Sequence, residues 1–127
     1  MPVINHKSIT ETPWRLNYKK WDITKSDDGT VNSHLSFSIV GTDSGAPLHT
    51  HDTDELIVVL KGELKARIGD TIYLISHDHT LVIPPNTPHE FTNTGSDYAH
   101  ILEFFPTSNP LKHTKYLEGS SPDTNTK

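Results

Sequence analysis

Turn-forming residues interrupt this chain before any segment can run long. Nine Pro and seven Gly are spread over 127 residues, and the stretches between them have the length of strands rather than of helices. No stretch carries the apolar spacing of a helix of normal length. Residues 34–40 (HLSFSIV) alternate polar and apolar side chains. This predicts a half-buried strand with Leu35, Phe37 and Ile39 on the inner face and His34 on the solvent side. Residues 41–47 read as a loop. Further strands are expected at 55–60, 63–68, 71–75, 80–83, 89–92 and 100–105, with a tight hairpin across Gly69-Asp70. This succession of short strands implies an all-β sandwich or barrel.

One domain is the natural reading of this length. Residues 1–30 are weakly patterned, and Trp14, Leu16, Tyr18 and Trp21 are large enough to anchor an N-terminal arm on the domain or on a partner. Residues 31–117 form the domain, and the polar stretch 118–127 is expected to be a disordered tail. The net charge is −5 and no Lys/Arg cluster stands out, so nucleic acid is not an expected partner. The apolar run 56–60 is too short to cross a bilayer. The first residues lack the apolar run of a signal peptide, which makes cytoplasmic the default location. The chain has no cysteine, which excludes disulfides, thiolate metal sites and a Cys nucleophile.

The nine histidines direct attention to a metal. In a strand, residues two apart share a face. His49 and His51 therefore present adjacent imidazoles, and Glu55 continues the odd-numbered register. Two imidazoles beside a carboxylate suit a divalent ion. A third imidazole would come from His89, which follows the rigid turn 84–88 (PPNTP) and is presented at a set angle. If Glu55 and His89 point inward, so do Ile57, Val59 and Phe91, with Phe37 or Ile39 joining them as a largely apolar substrate pocket. His100 and Glu103 are the candidate acid–base groups. A regular strand turns only one of them inward, and the pattern leaves open which.

The segment His49-x-His51-x3-Glu55-x6-Gly62 resembles the first motif of the cupin superfamily, and Pro84-x-Asn86-x2-His89-x3-Asn93 resembles the second. The family pattern has Gly where this chain has Asp43, Asp78 and Asn86. The resemblance spans roughly residues 35–106. It implies a cupin-type conical β-barrel, also called a double-stranded β-helix or jelly roll. One divalent ion would lie near the mouth on His49, His51, Glu55 and His89, with Fe(II) favoured among Fe(II), Mn(II), Ni(II), Zn(II) and Cu(II). Positions left open on such an ion would take water, dioxygen or a small organic substrate, and the resemblance lets Glu55 leave the ion and act as base.

Three functions follow as expectations. The favoured one is a metal-dependent oxygenase, because an apolar pocket shelters reactive oxygen chemistry. The alternatives are a non-oxidative lyase, decarboxylase or isomerase, with His100 or Glu103 moving protons, and a non-catalytic sensor or sugar-binding barrel. A homodimer is expected, with the aromatic N-terminal arm covering a sheet edge or an apolar face.

Overall fold

The structure is a computed structural model that describes residues 3–30, 32–120 and 122. Its strands, in chain order, are β1 (Thr12–Arg15), β2 (Tyr18–Asp22), β3 (His34–Val40), β4 (Gly45–His51), β5 (Glu55–Lys61), β6 (Glu63–Ile68), β7 (Thr71–Ser76), β8 (His79–Ile83), β9 (His89–Thr92), β10 (Ala99–Phe105) and β11 (Thr114–Tyr116). Among the described residues the helical content is confined to short 3₁₀ turns. One sheet runs β1-β2-β3-β10-β5-β8 and the other β11-β4-β9-β6-β7, and the paired strands are antiparallel. Their inner faces share one core. Val40, Ile57, Val59 and Ile101 of the first sheet meet Leu64, Ala66 and Phe91 of the second. This is the all-β jelly roll expected from the sequence. No helix among the described residues is long and apolar enough to cross a membrane.

The turns explain how strands this short hold their register. Gly62 has φ +83°, and Asp43, Asp78 and Asn86 have φ +66°, +68° and +60°. All four lie in the left-handed region, where Asp and Asn are the tolerated alternatives to Gly. The departures from the glycine pattern therefore keep the backbone that the pattern requires. Gly45 is needed for a different reason. A Cβ there would run into the carbonyl of Phe91 on the neighbouring strand. Asn93 is fully buried and holds the β9–β10 turn: its Nδ2 donates to the carbonyls of Val40 (2.9 Å) and Asp97 (2.8 Å), and its Oδ1 accepts from the Gly95 amide (2.8 Å).

Two expectations need correction. Strand β3 has the expected span but the opposite facing: His34, Ser36, Ser38 and Val40 are buried, while Leu35, Phe37 and Ile39 lie on the outer side. The cause is the polar interior. Ser36 sits directly across from Glu103, and Ser38 Oγ donates to Glu103 Oε1 at 2.7 Å. Residues 45–47, read as loop, already belong to β4 because the close approach to β9 extends the strand. β1 and β2 add to the edge of the six-stranded sheet through β3. At the start of the polar stretch 118–127, the Glu118 amide donates to the Leu48 carbonyl and Ser120 O accepts from Arg15. Apart from Pro122, the rest of the tail, 121–127, lies outside the described residues.

Candidate metal centre

Strands β4, β5 and β9 bring the four candidate ligands to one point. His49 and His51 stand two apart on β4, Glu55 opens β5, and His89 opens β9 directly opposite His49. They are 2–6 % exposed. One donor atom from each lies within 4.8 Å of the others. Bonds of about 2.1 Å span at most ~4.2 Å between donors, so inward shifts of ~0.3 Å would close a shell around an ion.

The hydrogen bonds on the far side of each ring decide which nitrogen faces inward. His49 Nδ1–H donates to the Pro47 carbonyl at 2.6 Å, and His89 Nδ1–H donates to the Thr87 carbonyl at 2.8 Å. Carbonyls only accept, so these nitrogens carry the protons. His51 Nδ1 lies 2.7 Å from Thr114 Oγ1, whose own proton goes to the Pro110 carbonyl at 2.8 Å. It too must donate. Each ring, with its proton on Nδ1, turns Nε2 toward a carboxylate, the orientation that metal ligation requires.

That set is electrostatically incomplete alone. Glu55 Oε1 lies 3.1 Å from His89 Nε2 and 3.2 Å from His51 Nε2. His51 Nε2 is buried without a hydrogen-bond partner. Lone pairs this close need either protons or a cation between them. Burial, reinforced by the neighbouring His89, pushes the His49 imidazole down to about 4, so this ring stays neutral. Burial alone would raise Glu55, but the adjacent His51 and His89 rings outweigh it and hold the carboxyl at about 2. A buried carboxylate with three imidazoles and no thiolate fits a divalent ion of borderline hardness.

Three members of the cluster, His49, His51 and Glu55, form one wall of a cavity of about 350 Å³. The other wall was not foreseen. Tyr18, Lys20, Asp22 and His34, from β2 and β3, line it together with Trp14 of β1 and Glu103 of β10. Tyr18 OH lies 3.5 Å from Glu103 Oε1. Asp22 accepts from His34 Nε2 (2.9 Å) and Thr12 Oγ1 (2.8 Å) and pairs with Lys20 Nζ at 3.4 Å. Lys20 Nζ also sits 3.5 Å from the Trp14 ring centroid. Burial would raise the Asp22 carboxyl, but these partners overcome it and hold Asp22 well below the usual range. Glu103 is raised, chiefly by burial and by the charge on Glu55, against the opposing pull of Lys20 and Ser38. Burial and the charge on Glu103 raise the Tyr18 phenol.

The other candidate site residues separate. Glu103 faces the cavity, while His100 faces outward, its ring edge-on to Phe37 with centroids 5.7 Å apart. Phe91 lines the cavity. Ile57 and Val59 face inward but lie in the packed core, and Phe37 and Ile39 are on the outside of the sheet. The pocket is therefore more polar than expected, because His34 of β3 and Tyr18, Lys20 and Asp22 of β2 line it. A signal for the missed wall exists in the alternation of Tyr18, Lys20 and Asp22 with Lys19 and Trp21, but its inward set is the polar one.

The comparisons agree with this geometry. The Cupin domain family model matches residues 37–105. No curated protein sequence matches the chain. Among solved structures, the polyketide cyclase RemF from Streptomyces resistomycificus is similar with a TM-score of 0.77 at 17% identity, over 94% of this chain and 87% of the other. KdgF from a Halomonas species gives 0.72 at 14% identity, over 85% of this chain and 96% of its own. A tryptophan-to-tyrosine variant of oxalate decarboxylase from Bacillus subtilis gives 0.77 at 17% identity, over 91% of this chain and 33% of its own. These identities speak for the fold alone. The family match spans more than half of the chain and contains every member of the His–Glu cluster, and the chain belongs to the cupin superfamily.

Proposed function

We propose that the chain is a metal-dependent enzyme that moves protons on a small organic substrate, in the manner of a lyase, isomerase or cyclase. One divalent ion would be held by His49, His51, Glu55 and His89. The observation that carries this reading is Glu103, a buried carboxyl with a raised pKa across the same cavity from the cluster. A carboxyl that stays protonated nearer neutral pH is suited to act as a general acid and, once ionised, as a general base. Ser38 Oγ–H holds Glu103 Oε1 in place. Tyr18 stands beside it as a hydroxyl donor, and Phe91 closes the apolar side. The bound ion would polarise a substrate carbonyl or carboxylate as a Lewis acid. The cavity volume suits a small molecule. A cyclase and a decarboxylase share this fold, which is consistent with the proposal.

The second reading is the oxygenase. It is favoured by the mixed imidazole–carboxylate donor set, which suits Fe(II) as well as Mn(II), Ni(II), Zn(II) or Cu(II). Its other premise, an apolar pocket, is weakened by the Tyr18, Lys20, Asp22, His34 and Glu103 wall. The two readings divide in one experiment. Apo-protein is reconstituted separately with Fe(II), Mn(II), Ni(II) and Zn(II), then offered chelating diketones, enols and catechols in an oxygen electrode and under anaerobic conditions. The proposal expects turnover without oxygen, retained with Zn(II) and lost in Glu103→Gln. Oxygen uptake confined to the redox-active metals would reverse the order of the readings.

We further propose a homodimer formed through the outer face of the six-stranded sheet. That face carries two cross-strand rows, Leu35–Phe104–Leu56–Val82 and Trp21–Phe37–Leu102–Val58. Leu56, Phe104 and Val82 are exposed. Copies with a net charge of −5 repel one another, and these rows offer a contact without charge. The absence of cysteine suits a reducing compartment, and the cytoplasm is the proposed location.

A further inference from the structure

We propose that β11 is a positioning strand for the metal centre, with Thr114 setting the ring of His51 and Tyr116 the ring of His49. The inference rests on the metal reading above and assigns roles to residues that lie beyond the segment matched by the family model, 37–105.

A metal-bound histidine needs a partner on its other nitrogen to fix the tautomer and the ring plane. His49 and His89 find theirs in carbonyls two residues earlier in the chain. His51 does not. Its partner, Thr114, lies 63 residues away. Thr114 has one hydroxyl proton and gives it to the Pro110 carbonyl at 2.8 Å. Its oxygen is left as an acceptor for His51 Nδ1–H at 2.7 Å. This relay, from ring to hydroxyl to carbonyl, has only one direction and turns His51 Nε2 toward Glu55.

The register carries the second contact. Thr114 pairs with His51 and Tyr116 with His49. Thr114 and Tyr116 share a face of β11, and the exposed Lys115 lies between them on the other face. The Tyr116 ring stacks on His49 with centroids 5.4 Å apart and planes at 29°. The Arg15 guanidinium sits 5.3 Å from the Tyr116 ring centroid, which holds the tyrosine from the β1 side. The segment entering β11 also carries Asn109, Pro110 and Leu111, which line the cavity. One short strand thus fixes two of the four ligands.

The test is metal affinity, measured with Zn(II) by competition against a chelating dye and with Co(II) by its visible spectrum, which reports coordination geometry. Thr114→Val keeps the branched shape and removes the acceptor. It is expected to weaken Zn(II) binding by about 10–100-fold and to alter the Co(II) spectrum. Thr114→Ser restores the hydroxyl and should return both toward wild type, and Lys115→Ala should change neither. Tyr116→Leu against Tyr116→Phe reads the stacking contact, and supplies the answer if Thr114→Val does not fold. Unchanged affinity in Thr114→Val and Tyr116→Leu would overturn the inference. So would an equal loss in Lys115→Ala, which would trace the effect to the strand rather than to its inward side chains. Wild-type protein that takes up neither metal would overturn the metal reading itself, and this inference with it.

Discussion

Asp22 ties β1, β2 and β3 together, so replacing it tests whether the N-terminal strands belong to the barrel through their own charge balance. Its carboxylate meets His34 Nε2 at 2.9 Å, Thr12 Oγ1 at 2.8 Å and Lys20 Nζ at 3.4 Å. The side chains of Lys20 and His34 are only 10% and 8% exposed. Asp22→Asn keeps the shape but strips the anion from two groups that water barely reaches. A hydrogen bond to a charged group contributes about 1.5–3 kcal/mol, and breaking a fully buried pair costs about 3–5 kcal/mol. Asp22 itself is 18% exposed, which places the expected loss near the lower range, at ~2–3 kcal/mol. With a urea slope of ~2 kcal/mol/M this lowers the unfolding midpoint by about 1–1.5 M. The pH dependence has a definite sign. A carboxyl held below its usual range stabilises the fold fully above about pH 4, and this contribution fades as pH falls toward the folded value. The gap between wild type and Asp22→Asn should therefore shrink by about 1 kcal/mol between pH 7 and pH 3. The assay is urea unfolding followed by tryptophan fluorescence at both pH values. A gap below ~0.5 kcal/mol at pH 7, or one that does not shrink at pH 3, would refute the reasoning.

The left-handed turn residues make a second test. Asp78→Val should lower stability by about 1–2 kcal/mol while Asp78→Gly causes no loss, as measured by thermal unfolding. Gly45→Ala should destabilise through the clash with the Phe91 backbone, and limited proteolysis should show it first where β4 meets β9. Light scattering at micromolar concentration should return a dimer for wild type and a monomer for the Leu56→Lys/Val82→Lys double variant. A wild-type monomer would remove the proposed face.

What the sequence makes legible, and what it hides, follows from parity. Residues two apart on a strand share a face, so His49, His51 and Glu55 could be placed together and His89 added through the second motif. Parity says which side chains travel together but not which set faces inward. In β10 both sets are apolar, with Ile101 and Phe105 on one side and Leu102 and Phe104 on the other, so Glu103 and His100 could not be separated by pattern. In β3 the apolar set lies outside, against Trp21 and Leu102, because the cavity draws Ser38 and His34 inward. The expectation of an apolar pocket came from the register of Ile57, Val59 and Phe91, with Phe37 or Ile39 added by reading β3 the ordinary way. Strand β11 was not legible: three residues carry too little pattern, and their meaning depends on a partner strand far back in the chain. The same holds for Tyr18, Lys20 and Asp22, whose role depends on β2 pairing with β3.

The central claim is that the buried His–Glu cluster is a metal centre. Elemental analysis of protein purified without added metal tests it most directly, on wild type and on His49→Ala, His51→Ala, Glu55→Ala and His89→Ala. The account predicts about one divalent ion per wild-type chain and a strong reduction in every folded variant, because each substitution opens the ligand shell. Full occupancy in two or more folded variants, or wild-type protein that holds no metal even after incubation with Fe(II), Mn(II), Ni(II) and Zn(II), would contradict it.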